Sequence, residues 1–211
     1  MAEYWFGLGR AQLAVNDPAA ARDSFTRAVA LRPDWLEAGA IAVRIALAQR
    51  DPARARRITE TLFEHLPQHP VAWLLAGQVH AASAQPDAAS RAFARSYALR
   101  PTAVAALSDF DARVRGNLGR VEQPLQNWLA REPRDLTVRR ALADFLLRSG
   151  RDREAQREFE TLLEQSPNDL PALNNLAWLI APANGPRAEA LARRAFAIAP
   201  DNGAVADTLG W

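Results

Sequence analysis

The chain has 211 residues, 49% of them apolar, and its formal net charge of +2 is too close to neutral to indicate a nucleic-acid partner. All 26 basic residues are arginine and cysteine is absent, which excludes disulfides, thiolate metal sites and cysteine nucleophiles. No run of eighteen apolar residues occurs, so the sequence predicts no membrane-spanning segment.

Six prolines recur along the chain at steps of 34, 34, 32, 34 and 33 residues. A fixed period of this length is typical of stacked helical hairpins, in which a proline follows the second helix of each unit. The prolines are Pro33, Pro67, Pro101, Pro133, Pro167 and Pro200. The predicted units are 2–35, 36–69, 70–103, a divergent 104–135, 136–169, 170–202 and a truncated 203–211.

The first three units repeat small and aromatic residues in register. The matching residues are Trp5 and Trp73, Gly9 and Gly77, Phe25 and Phe93, and the series Ala21, Ala55 and Ala89. The second unit lacks the aromatic residues and has Gly39 and Thr59 in their places. Asp17-Pro18 and Asp51-Pro52 are typical of a helix start, with aspartate as the N-cap and proline as the first helical residue.

These residues resemble the 34-residue tetratricopeptide repeat (TPR) from one end of the chain to the other. In the first unit Trp5, Leu8, Gly9, Ala21 and Phe25 stand at the motif positions, followed by Ala28 and Pro33. The resemblance implies an all-α fold, a right-handed α-α superhelical solenoid of TPR helix-turn-helix hairpins. A single solenoid is expected over residues 1–211.

The later units follow the same pattern with two departures. The fifth unit is regular, whereas the sixth is one residue short and has Pro182, Gly185 and Pro186 in its turn. The fourth is two residues short and has Gly116 and Gly119 around its turn. We expect either a kink or softer joint near 110–125, or ordinary drift of the repeat.

No catalytic or metal-binding pattern emerges from the sequence. His65 and His69 have a metal-ligand spacing, but Pro67 lies between them and breaks the helical face. His80 stands at the position of a core tyrosine, which favours a structural role. Phosphate-binding loops, nucleophile elbows and zinc-protease motifs are not evident. We therefore predict a protein without enzymatic activity, cofactor or metal.

In TPR proteins the first helices line a concave groove that receives a partner peptide or helix. By resemblance, the groove positions include Ser108 and Arg115 in the divergent fourth unit. The residues predicted to line a peptide-binding groove are Phe6, Arg10, Leu13, Arg44, Leu47, Leu74, Gln78, Arg140, Asp144, Asn174 and Trp178. For Trp178 a place in the core is an equal alternative.

Arg10 and Arg44 hold the same position in adjacent repeats. Their forked guanidinium groups are suited to a carboxylate or phosphate, and the alternative is an ion pair with Glu3 or Glu37. The TPR clamp for C-terminal carboxylates uses lysine and asparagine, but Phe6 and Arg10 stand at two of those positions. The mixture of apolar residues and arginine favours an amphipathic or acidic-apolar partner segment.

The C-terminal part resembles the TPR lipoproteins of bacterial exopolysaccharide and PEP-CTERM-type envelope systems. The resemblance rests on Leu173–Trp178, Ala195–Asn202 and Asp207–Trp211. It implies a protein-binding scaffold that organises an export assembly in the bacterial cell envelope or periplasm, although a cytoplasmic location is compatible with the sequence.

Two alternatives remain open. One is a regulatory or targeting array of a larger enzyme, such as a glycosyltransferase. The other is an RNA-binding array, which the charge balance and the absence of a basic stripe disfavour. Trp5 follows the start almost directly and a first helix without its second closes the sequence, so we expect a fragment, or self-association through uncapped ends.

Overall fold

In a computed structural model of the protein, residues 1–210 are described, apart from the side chain of Leu209. Within this range the chain forms thirteen helices joined by short turns. The helices are α1 (Ala2–Ala14), α2 (Pro18–Leu31), α3 (Leu36–Ala48), α4 (Pro52–His65), α5 (Pro70–Ala82), α6 (Pro86–Leu99), α7 (Ala103–Gly116), α8 (Gln123–Leu129), α9 (Leu136–Arg148), α10 (Asp152–Gln165), α11 (Leu170–Ile180), α12 (Gly185–Ile198) and α13 (Gly203–Gly210). The predicted all-α fold of helical hairpins is confirmed, while Trp211, part of the C-terminal resemblance, lies outside the described residues.

The helices belong to two compact units. Unit 1 ends at Pro124 and contains α1 to α7, whereas unit 2 begins at Leu125 and contains α9 to α13. In each unit, consecutive helices pack against each other as hairpins, and the odd-numbered helices are the first helices of the repeats. The single solenoid over residues 1–211 stays a prediction.

Local sequence signals start and stop these helices. The Asp17 carboxylate accepts a hydrogen bond from the Ala20 amide at 3.0 Å, and the Asp51 carboxylate accepts one from Arg54 at 2.9 Å. Both bonds satisfy backbone donors that the first helical turn leaves free. At the other end, α2 stops at Leu31, two residues before Pro33. The predicted caps and proline stops are therefore confirmed.

A glycine on the first helix lets a phenylalanine on the second approach closely. A Cβ on Gly9 would lie 2.9 Å from the Phe25 ring, and one on Gly77 would overlap the ring of Phe93. Such distances are shorter than carbon atoms tolerate, so only glycine fits beneath these rings. Phe25 is fully buried, which makes this contact the centre of the first hairpin.

The second hairpin fills the same space with other side chains. Val43 replaces the glycine and Thr59 replaces the phenylalanine, and both are buried. Where the first and third hairpins have a tryptophan, this one has Gly39, and a Cβ there would lie 2.8 Å from Leu62. In the second hairpin the larger residue of each facing pair therefore lies on the opposite helix from its place in the first hairpin.

The divergent fourth unit has an irregular turn. Helix α7 ends at Gly116, and Asn117 and Arg120 adopt positive φ angles of 48° and 55°. Arg113 spans this turn, because its guanidinium donates both to the buried Asp109 carboxylate at 2.9 Å and to the Gly119 carbonyl at 3.0 Å. The boundary between the two units falls just beyond the turn. The kink near 110–125 stays a prediction.

Unit 2 has its own apolar core. Phe159 and Leu162 of α10 and Leu173 and Leu176 of α11 are almost completely buried. Asp169 begins α11 by accepting a hydrogen bond from the Ala172 amide at 3.0 Å. The remaining predicted groove residues lie on α9 and α11 of this unit.

Candidate functional site

The predicted groove residues of unit 1 lie on the first helices α1, α3 and α5. The Phe6 ring is half-buried, stacked on Trp35 with centroids 4.5 Å apart and edge-on to Phe25 at 5.3 Å. These contacts hold Phe6 in the packing between the first two hairpins. Only part of the Phe6 ring is therefore accessible to a partner.

The leucines at the predicted groove positions differ in accessibility. Leu47 packs against the core of the first hairpins, and Leu74 packs against the cluster that contains Phe93. Leu13 is 41% exposed. Leu13 consequently offers the most accessible apolar group of the three.

Arg10 and Arg44 are exposed and make no hydrogen bond or ion pair with any other described residue. Glu3, the alternative partner of Arg10, pairs instead with Arg32 at 2.9 Å. A hydrogen bond with its own backbone, and then the positive charges of the N-terminus and Arg32, lower the pKa of the Glu3 carboxyl. Both guanidinium groups are therefore available to an external anion.

A small pocket lies between α5, α6 and α7. Its volume is about 210 Å³, and the Phe93 ring forms part of its lining. Gln78 and the fourth-unit groove positions Ser108 and Arg115 all line it, together with Asp111. The structure thus brings these three predicted residues together over an apolar surface.

In unit 2, two of the predicted residues, Arg140 and Asp144, lie in a polar cluster with Asp169. Arg140 pairs with the buried Asp169, the N-cap of α11. Asn175, which the sequence reasoning missed, donates to the Asp144 carboxylate at 3.5 Å. Within the described part of the chain, Arg140 Nε and Asn174 Oδ1 are buried without a hydrogen-bond partner.

Burial affects the charge of Asp144. Desolvation raises the pKa of this half-buried carboxyl, Arg148 and Arg140 oppose the shift, and Asp169 adds to it. Ionisation of this carboxyl is therefore less favourable in the folded chain than in water.

Trp178 on α11 is 58% exposed, so the alternative place in the core is not realised. With Leu179, Ala181, Pro182 and Asp152 it lines a pocket of about 550 Å³. Asp152 was also absent from the predicted site, because an aspartate at the start of a helix is usually an ordinary N-terminal residue.

The three histidines have structural contacts. His80 Nδ1 hydrogen-bonds to Gln85 at 2.8 Å, His69 accepts from the Val71 amide, and His65 contacts the Thr61 carbonyl. The described residues contain no group of three or more histidine, aspartate or glutamate side chains that could hold a metal ion. No helix within the described residues is both long and apolar enough to cross a bilayer.

Comparison with known families identifies the repeat. Family models of the tetratricopeptide repeat match residues 2–35 and 112–180. The chain belongs to the tetratricopeptide-repeat family. Such repeats are generally non-catalytic scaffolds for protein interaction. No curated protein matches the TPR chain significantly.

Solved structures share the TPR fold at low sequence identity. PilW, a widely conserved type IV pilus biogenesis factor, is 17% identical with a TM-score of 0.69, and the match covers 99% of this chain and 98% of PilW. The pilF protein of Pseudomonas aeruginosa is 11% identical with a TM-score of 0.68, over 99% and 96% of the two chains.

A further match is a chain of the APC/C heterotetramer Cut9-Hcn1, with 17% identity, a TM-score of 0.59 and coverage of 99% of this chain. This protein spans 42% of that chain's length. At identities this low, the similarity to these structures shows a shared fold and no shared role.

Proposed function

We propose that this TPR chain is a non-catalytic scaffold whose unit 1 first-helix surface binds an acidic-apolar segment of a partner protein. The observation that carries the proposal is the pair Arg10 and Arg44. They occupy the same position of consecutive repeats, both are exposed, and neither has an ion-pair partner in the described chain. A buried or paired arginine would be structural, whereas two free guanidinium groups in register suit carboxylates of a bound segment.

Apolar groups beside the arginines supply the other part of the recognition. Leu13 is 41% exposed on the same helix as Arg10, and Leu47 lies three residues beyond Arg44. Residues three apart on a helix are neighbours on one face. A partner segment that alternates apolar and acidic groups can therefore place leucine-like side chains beside its carboxylates.

The experiment uses three labelled peptides of equal length, with leucine alternating with glutamate, leucine with glutamine, or serine with glutamate. Fluorescence anisotropy measures their affinity for the wild type and for the double variant Arg10→Glu, Arg44→Glu. We expect the leucine–glutamate peptide to bind best. The double variant should weaken that binding at least about tenfold, because two attractive contacts become repulsive.

A matched control variant reverses two charges on α4, the second helix of its hairpin. The variant Arg56→Glu, Arg57→Glu alters two exposed arginines of α4 and should leave the affinity within about twofold. Equal binding of the leucine–glutamate and leucine–glutamine peptides, or an unchanged affinity of the Arg10/Arg44 variant for the leucine–glutamate peptide, would contradict the proposal.

For the biological setting, we propose an assembly of the bacterial cell envelope, with export of exopolysaccharide as the candidate process. Support comes from the resemblance of residues 173–178 and 195–202 to envelope TPR lipoproteins, and from the fold shared with PilW, a type IV pilus biogenesis factor. Fractionation of cells that express the complete reading frame tests this setting. Recovery of the protein in the cytoplasmic fraction alone would reject it.

A further inference from the structure

Unit 2 exposes a tryptophan beside an apolar pocket. Trp178 is 58% exposed on α11, although burying an indole is among the largest apolar gains a side chain can make. The pocket beside it is also lined by Leu179, Ala181 and Pro182 and has a volume of about 550 Å³. That volume falls within the range of sites that hold a ligand group.

The pocket also contains one negative charge. Asp152 is the first residue of α10 and is exposed. The described chain gives its carboxylate no ion-pair partner, and no arginine or histidine of the described residues lines the pocket. Among its neighbours, Arg151 pairs with Glu154 at 2.7 Å, and Arg148 acts on Asp144.

An indole beside an unpaired carboxylate is complementary to a cation on an aliphatic stem. The ring face attracts a guanidinium or ammonium group, the carboxylate pairs with it, and the apolar lining contacts the methylene groups. A purely apolar ligand would remove water from Asp152 without replacing its interactions. An acidic ligand would be repelled by the same carboxylate.

We propose that the pocket formed by Trp178 and Asp152 binds a basic side chain, arginine or lysine, of a partner protein. This proposal rests on the proposed scaffold function and assigns to unit 2 a different specificity from unit 1. In the two proposals, Arg10 and Arg44 bind the acidic-apolar segment, whereas Trp178 and Asp152 bind the basic side chain.

The test uses a 12-residue peptide with a central Arg-Leu pair on Ser/Gly flanks and a matched peptide with norleucine in place of arginine. Binding to the whole chain is followed by the indole N–H signals of the six tryptophans in a nitrogen-labelled sample. Trp178→Phe identifies the relevant signal.

We expect the arginine peptide to shift the Trp178 signal. Replacing arginine by norleucine in the peptide, or Asp152→Asn in the protein, should each weaken the binding at least about fivefold. Trp178→Ala should abolish saturable binding. The control Asp34→Asn removes an exposed carboxylate of unit 1 and should change the affinity less than about twofold.

Equal affinities of the arginine and norleucine peptides would overturn the proposal, because the pocket would then recognise apolar groups alone. An unchanged affinity of Asp152→Asn, or a Trp178 signal that does not move, would overturn it too. Circular dichroism verifies that each variant is folded. The Arg10/Arg44 double variant should bind the arginine peptide normally, so failure of the unit 1 proposal is distinguishable from failure of this one.

Discussion

The arginines on the first helices differ between the two units. In unit 1, Arg10 and Arg44 are exposed and make no ion pair with described residues, whereas Arg140 of unit 2 pairs with the buried Asp169. An arginine on a first helix is thus already neutralised within the chain in unit 2, whereas the two arginines of unit 1 remain unpaired. The difference shows that a groove position does not by itself assign a role, because the adjacent helix decides whether the charge is already neutralised.

The largest expected effect concerns Asp169. Asp169→Ala removes the N-cap of α11 and leaves Arg140 without its partner, so we expect unit 2 to lose about 2–3 kcal/mol of stability. Hydrogen exchange of the amides in α9 to α12 measures the loss within the unit. Asp169→Asn retains a capping oxygen and should lose about 1 kcal/mol less. Equal losses in the two variants would show that the cap contributes nothing.

The second prediction removes the other partner of the pair. Arg140→Ala should destabilise unit 2 by about 1–2 kcal/mol, because the buried Asp169 carboxylate keeps its bond to the Ala172 amide but loses the guanidinium. The same hydrogen-exchange measurement follows it. A loss below about 0.5 kcal/mol, the range of ordinary surface substitutions, would remove the distinction between Arg140 and the unit 1 arginines.

The matching substitutions in unit 1 should be neutral for stability. Arg10→Ala and Arg44→Ala are each expected to change the free energy of unfolding by no more than about 0.5 kcal/mol, because neither side chain has an intramolecular partner to lose. Urea unfolding followed by circular dichroism measures this. Destabilisation by more than about 1 kcal/mol would mean that these residues support the fold.

The smallest expected effect is a change in the stability of unit 2 that depends on pH. Asp144→Asn removes a carboxyl whose pKa burial raises, and because the group is only half-buried we expect a gain of about 0.5 kcal/mol or less at pH 7. The folded-state pKa lies above the unfolded value, so ionisation lowers the stability of the wild type as the pH rises through that interval. The gain should therefore be present at neutral pH and disappear as the pH falls toward the ordinary value of 3.8. Unfolding curves between pH 3.5 and pH 7 measure it, and a gain that persists at the acidic end would contradict the assignment.

The helical elements follow from local sequence, whereas the site depends on contacts between distant residues. Asp17-Pro18 and the spaced prolines predict helix starts and ends, because caps and proline act within a few residues. The ion pair of Arg140 joins residues 29 apart, and no local pattern selects Asp169 as the partner.

Exposure was similarly only partly predictable. The repeat register places Trp178 on a first helix, but its exposure depends on the turn around Pro182, which is irregular in this unit. Phe6 lies at a groove position, yet Trp35 covers its ring. Both outcomes depend on side-chain packing between hairpins, which periodicity does not encode.

The contact between Gly77 and Phe93 has a consequence for how such arrays diversify. A first helix that carries Val43 would collide with a second helix that carries Phe93, while Gly77 opposite Thr59 would leave a void. Recombination that joins half of one repeat to half of another is therefore penalised, whereas exchange of a whole hairpin keeps each matched pair intact. The complete helix pair is therefore the unit that can be exchanged between such arrays without loss of packing.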